Sequence, residues 1–260
     1  MLLRLPTSVS EARECLAEGA VPVGGATLMW AVWQRDGFPE HAVSLRNVPE
    51  ATAMGSGVLG GAVLLHQLDD RVPEVLRRAA KGVGTGAVRR AATVGGNIAG
   101  SSLRDLLPAA IVLDAWAEVL TADGVEEVDL AEVRAKSPVL LSLRWREPVK
   151  GAYTKVPDPA GGQVPTIAAA AVDPQGVLRV AVREGYAVSG GSAGADGGGV
   201  AELFAGALSG VSEAGRALVR QQVAEVLGAT RLRAGVPQGG TGGRWGSPRP
   251  KAGGGTVPAP

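Results

Sequence analysis

The residues of this chain best placed to do chemistry are glycines. Val23-Gly24-Gly25-Ala26-Thr27 reads as the junction of a short strand with a helix. Free backbone amides and the helix dipole there favour an anion, and the missing side chains let it come close. Thr93-Val94-Gly95-Gly96-Asn97 offers a second such loop, with a hydroxyl at one end and a carboxamide at the other. Glycine pairs alone carry little information. With 39 Gly in 260 residues, chance gives about six adjacent pairs, and seven occur ahead of residue 235. Either loop by itself reads more readily as an ordinary tight turn.

Other chemistries lack their residues. Gly82-Val83-Gly84-Thr85-Gly86 starts like a dinucleotide fingerprint, but Ala87, Val88 and Arg89 stand where the third glycine should follow, and no phosphate-loop GxxxxGK[ST] occurs. There is no Gly-x-Ser-x-Gly elbow, and neither His41 nor His66 has a nucleophile partner or metal-ligand spacing. Cys15 is the single cysteine, which rules out an internal disulfide and a cysteine-held zinc or iron–sulfur site. No catalytic acid, base or nucleophile and no metal site is assigned.

The two loops need elements to carry them. Ser8 and Glu11 form a capping box for a helix that Gly19 stops. Val21–Val23 is a strand leading into the first glycine loop, and Ala26–Trp33 the helix after it. Strands are predicted at 42–45 and 58–63, a helix at 73–81, a buried helix at 106–113, a hairpin at 116–128 turning at Asp123-Gly124, and a strand at 139–145. Residues 153–156, 166–172 and 177–182 make a three-stranded meander, 190–199 a flexible loop, and Ser212 caps a last helix. Helices and hairpins without a regular βαβ alternation indicate an α+β fold.

Composition sets the limits. Gly and Pro make up 56 residues, about 22% of the chain and well above the usual share. Fourteen of them lie in 235–260, which reads as a disordered tail. A hydrophobic share of 45% provides ample core for the rest. The formal charge is +1, near −2 without the tail, and aromatics are few, which argues against a nucleic-acid binder. No apolar run reaches membrane-spanning length and no leader precedes the first helix, so a cytoplasmic protein is expected.

The loops gain meaning from their order. Val23-Gly24-Gly25-Ala26-Thr27, then Val43-Ser44-Leu45-Arg46-Asn47-Val48-Pro49-Glu50, then Thr93-Val94-Gly95-Gly96-Asn97-Ile98-Ala99 resembles the FAD-binding medium subunit of the molybdenum hydroxylases, the xanthine dehydrogenase and carbon monoxide dehydrogenase family. That family carries AGG[QH]S, an IPEL-like strand end and TIGGN. Val83–Arg89 is similar to its VGSPQVR run, Ser101–Ala109 to its xDLxPA stretch, and Ala152–Lys155 with the last helix to its C-terminal domain.

The resemblance implies a PCMH-type FAD-binding region over 1–148, in subdomains of about 1–54 and 55–148, then a small three-stranded-sheet-plus-helix domain over 149–234. It implies FAD as cofactor. It also implies a molybdopterin-binding large subunit and a [2Fe–2S] small subunit as partners, with electrons passing through the flavin to NAD⁺, a quinone or oxygen. By the same resemblance, Val23, Gly24, Gly25, Ala26 and Thr27, with Thr93, Val94, Gly95 and Gly96, hold the diphosphate and neighbouring sugar. Asn97 and Asp105 bond the ribityl or adenosine side, Leu140 packs near the ring, and Lys155 lies by the isoalloxazine or is a solvated strand lysine. Several positions depart from the pattern. Ala26 replaces Gln or His, the 97–105 spacing is one residue short, Val156-Pro157-Asp158-Pro159 lacks paired arginines, and Gln163-Val164-Pro165 lacks an acid. These departures motivate an alternative, a flavin-free scaffold subunit of the same kind of complex; a flavin oxidase acting alone would need catalytic side chains that are not found.

Overall fold

The computed structural model describes residues 1–234 except 122, 149, 158–160, 197 and 198. The tail expected at 235–260 and the Asp158-Pro159 departure lie outside the described residues. Three sheets follow one another along the chain.

The first is parallel, in the order β1-β3-β2, from β1 (Leu2–Arg4), β2 (Val21–Pro22) and β3 (His41–Val43). Helices α1 (Val9–Ala17) and α2 (Met29–Asp36) make the crossovers, so this unit does alternate β and α. At three residues, β1 is too short to show a period-two pattern, which hid the alternation. Ser8 caps α1 as expected, accepting from the Glu11 amide at 3.2 Å, while Glu11 reaches back to the Thr7 amide at 2.7 Å.

After α3 (Pro49–Thr52), the second sheet runs β4-β5-β8-β6-β7, antiparallel throughout. It is built from β4 (Met54–Gly55), β5 (Val58–Gly60), β6 (Trp116–Leu120), β7 (Val125–Asp129) and β8 (Val139–Arg144). Helices α4 (Glu74–Lys81), α5 (Gly86–Ala91) and α6 (Leu107–Val112) lie between β5 and β6, and α7 (Leu130–Lys136) between β7 and β8.

The third sheet is a meander of four strands, β9 (Lys150–Val156), β10 (Thr166–Val172), β11 (Val177–Glu184) and β12 (Ala187–Gly194), followed by α8 (Val200–Ala205) and α9 (Glu213–Ala234). The fourth strand replaces much of the loop expected at 190–199. Its glycines serve close packing. A Cβ on Gly190 would stand 3.2 Å from Ile111 of α6, and one on Gly191 would stand 2.6 Å from Leu203 of α8. Contacts this close at 190 and 191 favour glycine at those two positions, and glycine-rich sequence reads as loop.

Both faces of this sheet are covered, which explains the unbroken apolar run of β10. Ala169 and Ala171 belong to one core with Leu76 and Ala79 of α4 and Leu107 and Ala110 of α6. Ala168, Ala170 and Val172 belong to another with Leu203 of α8 and Val219, Val223 and Val226 of α9. Alternate residues thus face opposite helix layers, and α4 and α6 weld the second sheet to the third.

Candidate functional site

Two sheets and one loop meet at a cleft of about 1010 Å³, at the upper end of ordinary small-molecule sites of roughly 300–1,000 Å³. Its lining includes Val23, Gly24, Gly25, Ala26, Thr93, Gly95, Gly96 and Leu140. Eight of the thirteen residues expected at the site are therefore brought together by the fold.

The first glycine loop leaves the parallel sheet where Val23 donates to the Val43 carbonyl at 2.8 Å. Beyond it, the amides of Gly24, Gly25, Ala26 and Thr27 have no acceptor among the described residues. Ala26 has φ of 53°, and this left-handed turn holds back the start of α2 to Met29, three residues later than the sequence pattern predicts. An alanine in that conformation is strained by about 1 kcal/mol or more, and strained backbone persists where surrounding contacts enforce it. The result is a run of exposed donors ahead of a helix, which suits a diphosphate.

The second loop is built differently. Val94 donates to Val63 at 3.0 Å, Gly95 to Gly61 at 2.8 Å and Asn97 to the Thr93 carbonyl at 3.0 Å, while Gly96 donates to the Thr93 hydroxyl at 3.1 Å. Its amides are spent inside the protein, so of the two loops the first is the one with free backbone donors. A π-turn spans Gly96–Gly100.

What the glycines do is let backbones touch. A Cβ on Gly25 would stand 1.8 Å from the Ala91 carbonyl oxygen, and one on Gly24 2.3 Å from the Thr93 hydroxyl. A third pair, Gly60-Gly61, shares this role. Cβ atoms there would stand 2.2 Å from the Ala51 oxygen and 2.1 Å from the Leu140 oxygen. Gly61 also lines the cleft. The flanking residues of Gly60-Gly61 carry no signal, and only contact with segments about 10 and 80 residues away distinguishes it from chance. Along these glycines the wall of the cleft is backbone packed on backbone, and a dinucleotide such as FAD fits both the cleft's size and its free amides.

Five expected residues stand outside the lining. Thr27 follows the loop into α2. Val94 is fully buried. Asn97 is buried, and its side-chain oxygen accepts from the Leu106 amide at 2.9 Å, fixing the start of α6. Asp105, only 2% exposed, pairs with Lys155 at 2.8 Å, and Lys155 also donates to the Gly82 carbonyl at 2.9 Å. Lys155 is accordingly a bound lysine, not a solvated one. Fully buried Arg183 stands 3.1 Å from the other Asp105 oxygen, which makes no hydrogen bond. Burial and then the Asp105 charge push the Tyr153 phenol well above its usual pKa, so it stays neutral, its hydroxyl donating to the Asp105 carbonyl at 3.4 Å. This cluster ties the loop before α6 to β9 and β11.

Sequence patterns also missed the cleft's charge. Arg46, Arg71 and Arg90 line it and no carboxylate does. Among the described residues, no group of histidine, cysteine or carboxylate side chains could hold a metal, and no helix is long and apolar enough to cross a membrane.

Comparison with known proteins agrees with this geometry. Residues 3–141, just over half the chain, match the family described as FAD binding domain in molybdopterin dehydrogenase. Quinoline 2-oxidoreductase from Pseudomonas putida 86 matches in structure with a TM-score of 0.61 and 19% identity over 89% of this chain and 95% of that one. A carbon monoxide dehydrogenase from Hydrogenophaga pseudoflava gives 0.61 and 20% over 89% and 97%. That from Oligotropha carboxidovorans gives 0.60 and 21% over 75% and 77%. These structural likenesses establish the shared fold. No curated protein matches the chain in sequence.

Proposed function

Because this chain belongs to the family of FAD-binding domains in molybdopterin dehydrogenases, and FAD is therefore its cofactor, we propose that it is the electron-transfer flavoprotein of a larger oxidoreductase. In this reading it works beside a molybdopterin-binding large subunit and a [2Fe–2S] small subunit in the cytoplasm, and passes their electrons to NAD⁺, a quinone or oxygen. The observation that carries the reading is the run of amides from Gly24 to Thr27 without an acceptor among the described residues, the first three of them in residues that line the cleft.

FAD, when bound, supplies a redox centre able to exchange electrons singly or in pairs. The chain's own residues bind and position it. The Gly24–Thr27 amides would hold the diphosphate. The Thr93 hydroxyl, which already accepts from Gly96, keeps its proton free to donate into the cleft. Leu140, on β8, provides an apolar wall that excludes water. Asn97 orients the start of α6, and the Asp105–Lys155–Arg183 cluster ties β9 and β11 to the loop that leads into α6, so both act through the shape of the site. The domain division at about residues 54 and 148 follows the same reading.

Purifying the chain, alone and with its partners, and recording the visible spectrum tests it. Flavin absorption with about one FAD released per chain is the expected result. A flavin-free assembled complex would sink it in favour of a scaffold role.

A further inference from the structure

Resting on the FAD reading above, we propose that Arg46 and Arg90 are a cationic clamp that neutralises the diphosphate of FAD held by the Gly24–Thr27 amides. Three arginines and no carboxylate line the cleft, although the chain as a whole carries nearly equal numbers of acids and bases. Arg71 is already spent. Its guanidinium grips Asp69 in a two-pronged pair at 2.9 and 2.7 Å. The guanidinium groups of Arg46 and Arg90 make no ion pair or hydrogen bond among the described residues.

Their placement relative to the amide loop is fixed by backbone. Arg46 lies in the 3₁₀ turn Leu45–Asn47 directly after β3, the strand whose Val43 carbonyl accepts the Val23 amide at 2.8 Å. Arg90 lies in the last turn of α5, next to its final residue Ala91, whose carbonyl oxygen is the atom Gly25 packs on. The two segments that grip the loop thus each bring one unpaired cation to it. Backbone amides can bind a diphosphate but leave its two negative charges uncompensated. Guanidinium groups supply that charge and match phosphate geometry in paired bonds. Arg71, the third guanidinium of the lining, is held by Asp69.

The test titrates the FAD-free full chain with FAD, followed by flavin fluorescence, between about 20 and about 200 mM NaCl, where the screening length falls from about 20 Å to about 7 Å. Arg46→Gln and Arg90→Gln should each weaken FAD about three- to tenfold at the lowest salt. The double variant should also flatten the salt dependence, and the paired lysine variant should restore much of it. ADP, which carries the diphosphate without the flavin ring, should lose potency as a competitor by the same factors. Both arginines are exposed and unpaired, so these variants should fold as the wild type does. Unchanged FAD affinity and salt dependence in the double glutamine variant would overturn the clamp, as would a loss for FAD not shared by ADP. If the wild-type chain and its complex bind no FAD at all, the functional reading itself falls, and the clamp with it.

Discussion

Gly25→Ala places a single methyl group where the cleft has least room for one. The new carbon would stand 1.8 Å from the Ala91 oxygen, 2.3 Å from its carbonyl carbon and 2.9 Å from the Ala92 nitrogen. All three are backbone atoms, and their segment is held from both sides: Ala92 donates to Val88 at 2.7 Å and accepts from Leu65 at 2.9 Å. No rotamer change relieves the clash. Restoring ordinary contact requires the two segments to part by roughly 1.6 Å, an overpacking expected to cost about 2–3 kcal/mol. If FAD needs the native loop, that cost reappears in binding as a loss of about 30- to 150-fold. The assay is fluorescence titration of the flavin-free chain with FAD, beside melting curves with and without FAD. Gly210→Ala, with nothing within 4 Å of the added carbon, is the control and should change neither. FAD affinity within about twofold of wild type in a Gly25→Ala protein of unchanged melting temperature would refute the argument that this glycine exists for loop-to-loop contact.

Other consequences follow from the same structure. Asp105→Asn strips the counter-ion from Lys155 at 2.8 Å and Arg183 at 3.1 Å; urea unfolding should show a loss of about 3–5 kcal/mol, and an unchanged midpoint would contradict the cluster's role. At the β10–β11 turn, burial pushes Asp173 upward, but hydrogen bonds from Arg179 and the Val177 and Gln175 amides outweigh it and hold the carboxyl below its usual 3.8. A depressed carboxyl stabilises the fold above its unfolded pKa, and that contribution is lost as pH falls through the folded one. Asp173→Asn should therefore be clearly less stable than wild type near about pH 7 and approach it below about pH 3; a gap that persists in acid would be the wrong sign. Gly228, exposed inside α9 with no atom near its missing Cβ, should tolerate alanine with a gain of about 0.5–1 kcal/mol, visible as a rise of about 2–4 °C in melting temperature.

Much of this protein is written locally. The Ser8–Glu11 cap, the short apolar runs on either side of the Asp173–Gly176 turn that become β10 and β11, and the order of the two glycine loops each depend on residues close in sequence, and the structure forms all of them. The absence of a paired histidine, nucleophile or cysteine cluster is equally legible in the sequence, and it agrees with the cofactor that the family resemblance implies. What sequence patterns could not separate was which glycines matter and for what. Gly60-Gly61 looks like chance pairing until the Ala51 and Leu140 carbonyls are found 2.2 and 2.1 Å from where side chains would be. Gly190-Gly191 looks like a loop until α6 and α8 are seen to press on both faces of β12. Asp105 and Lys155 look like separate ligand contacts until folding pairs them across 50 residues. Likewise, Arg46 and Arg90 look like any surface arginines until their segments converge on one loop. Local propensities fix the elements because they act within a turn or a strand. Close approach, charge pairing and the emptiness of a cleft arise between segments far apart in the chain, so only the tertiary structure decides them.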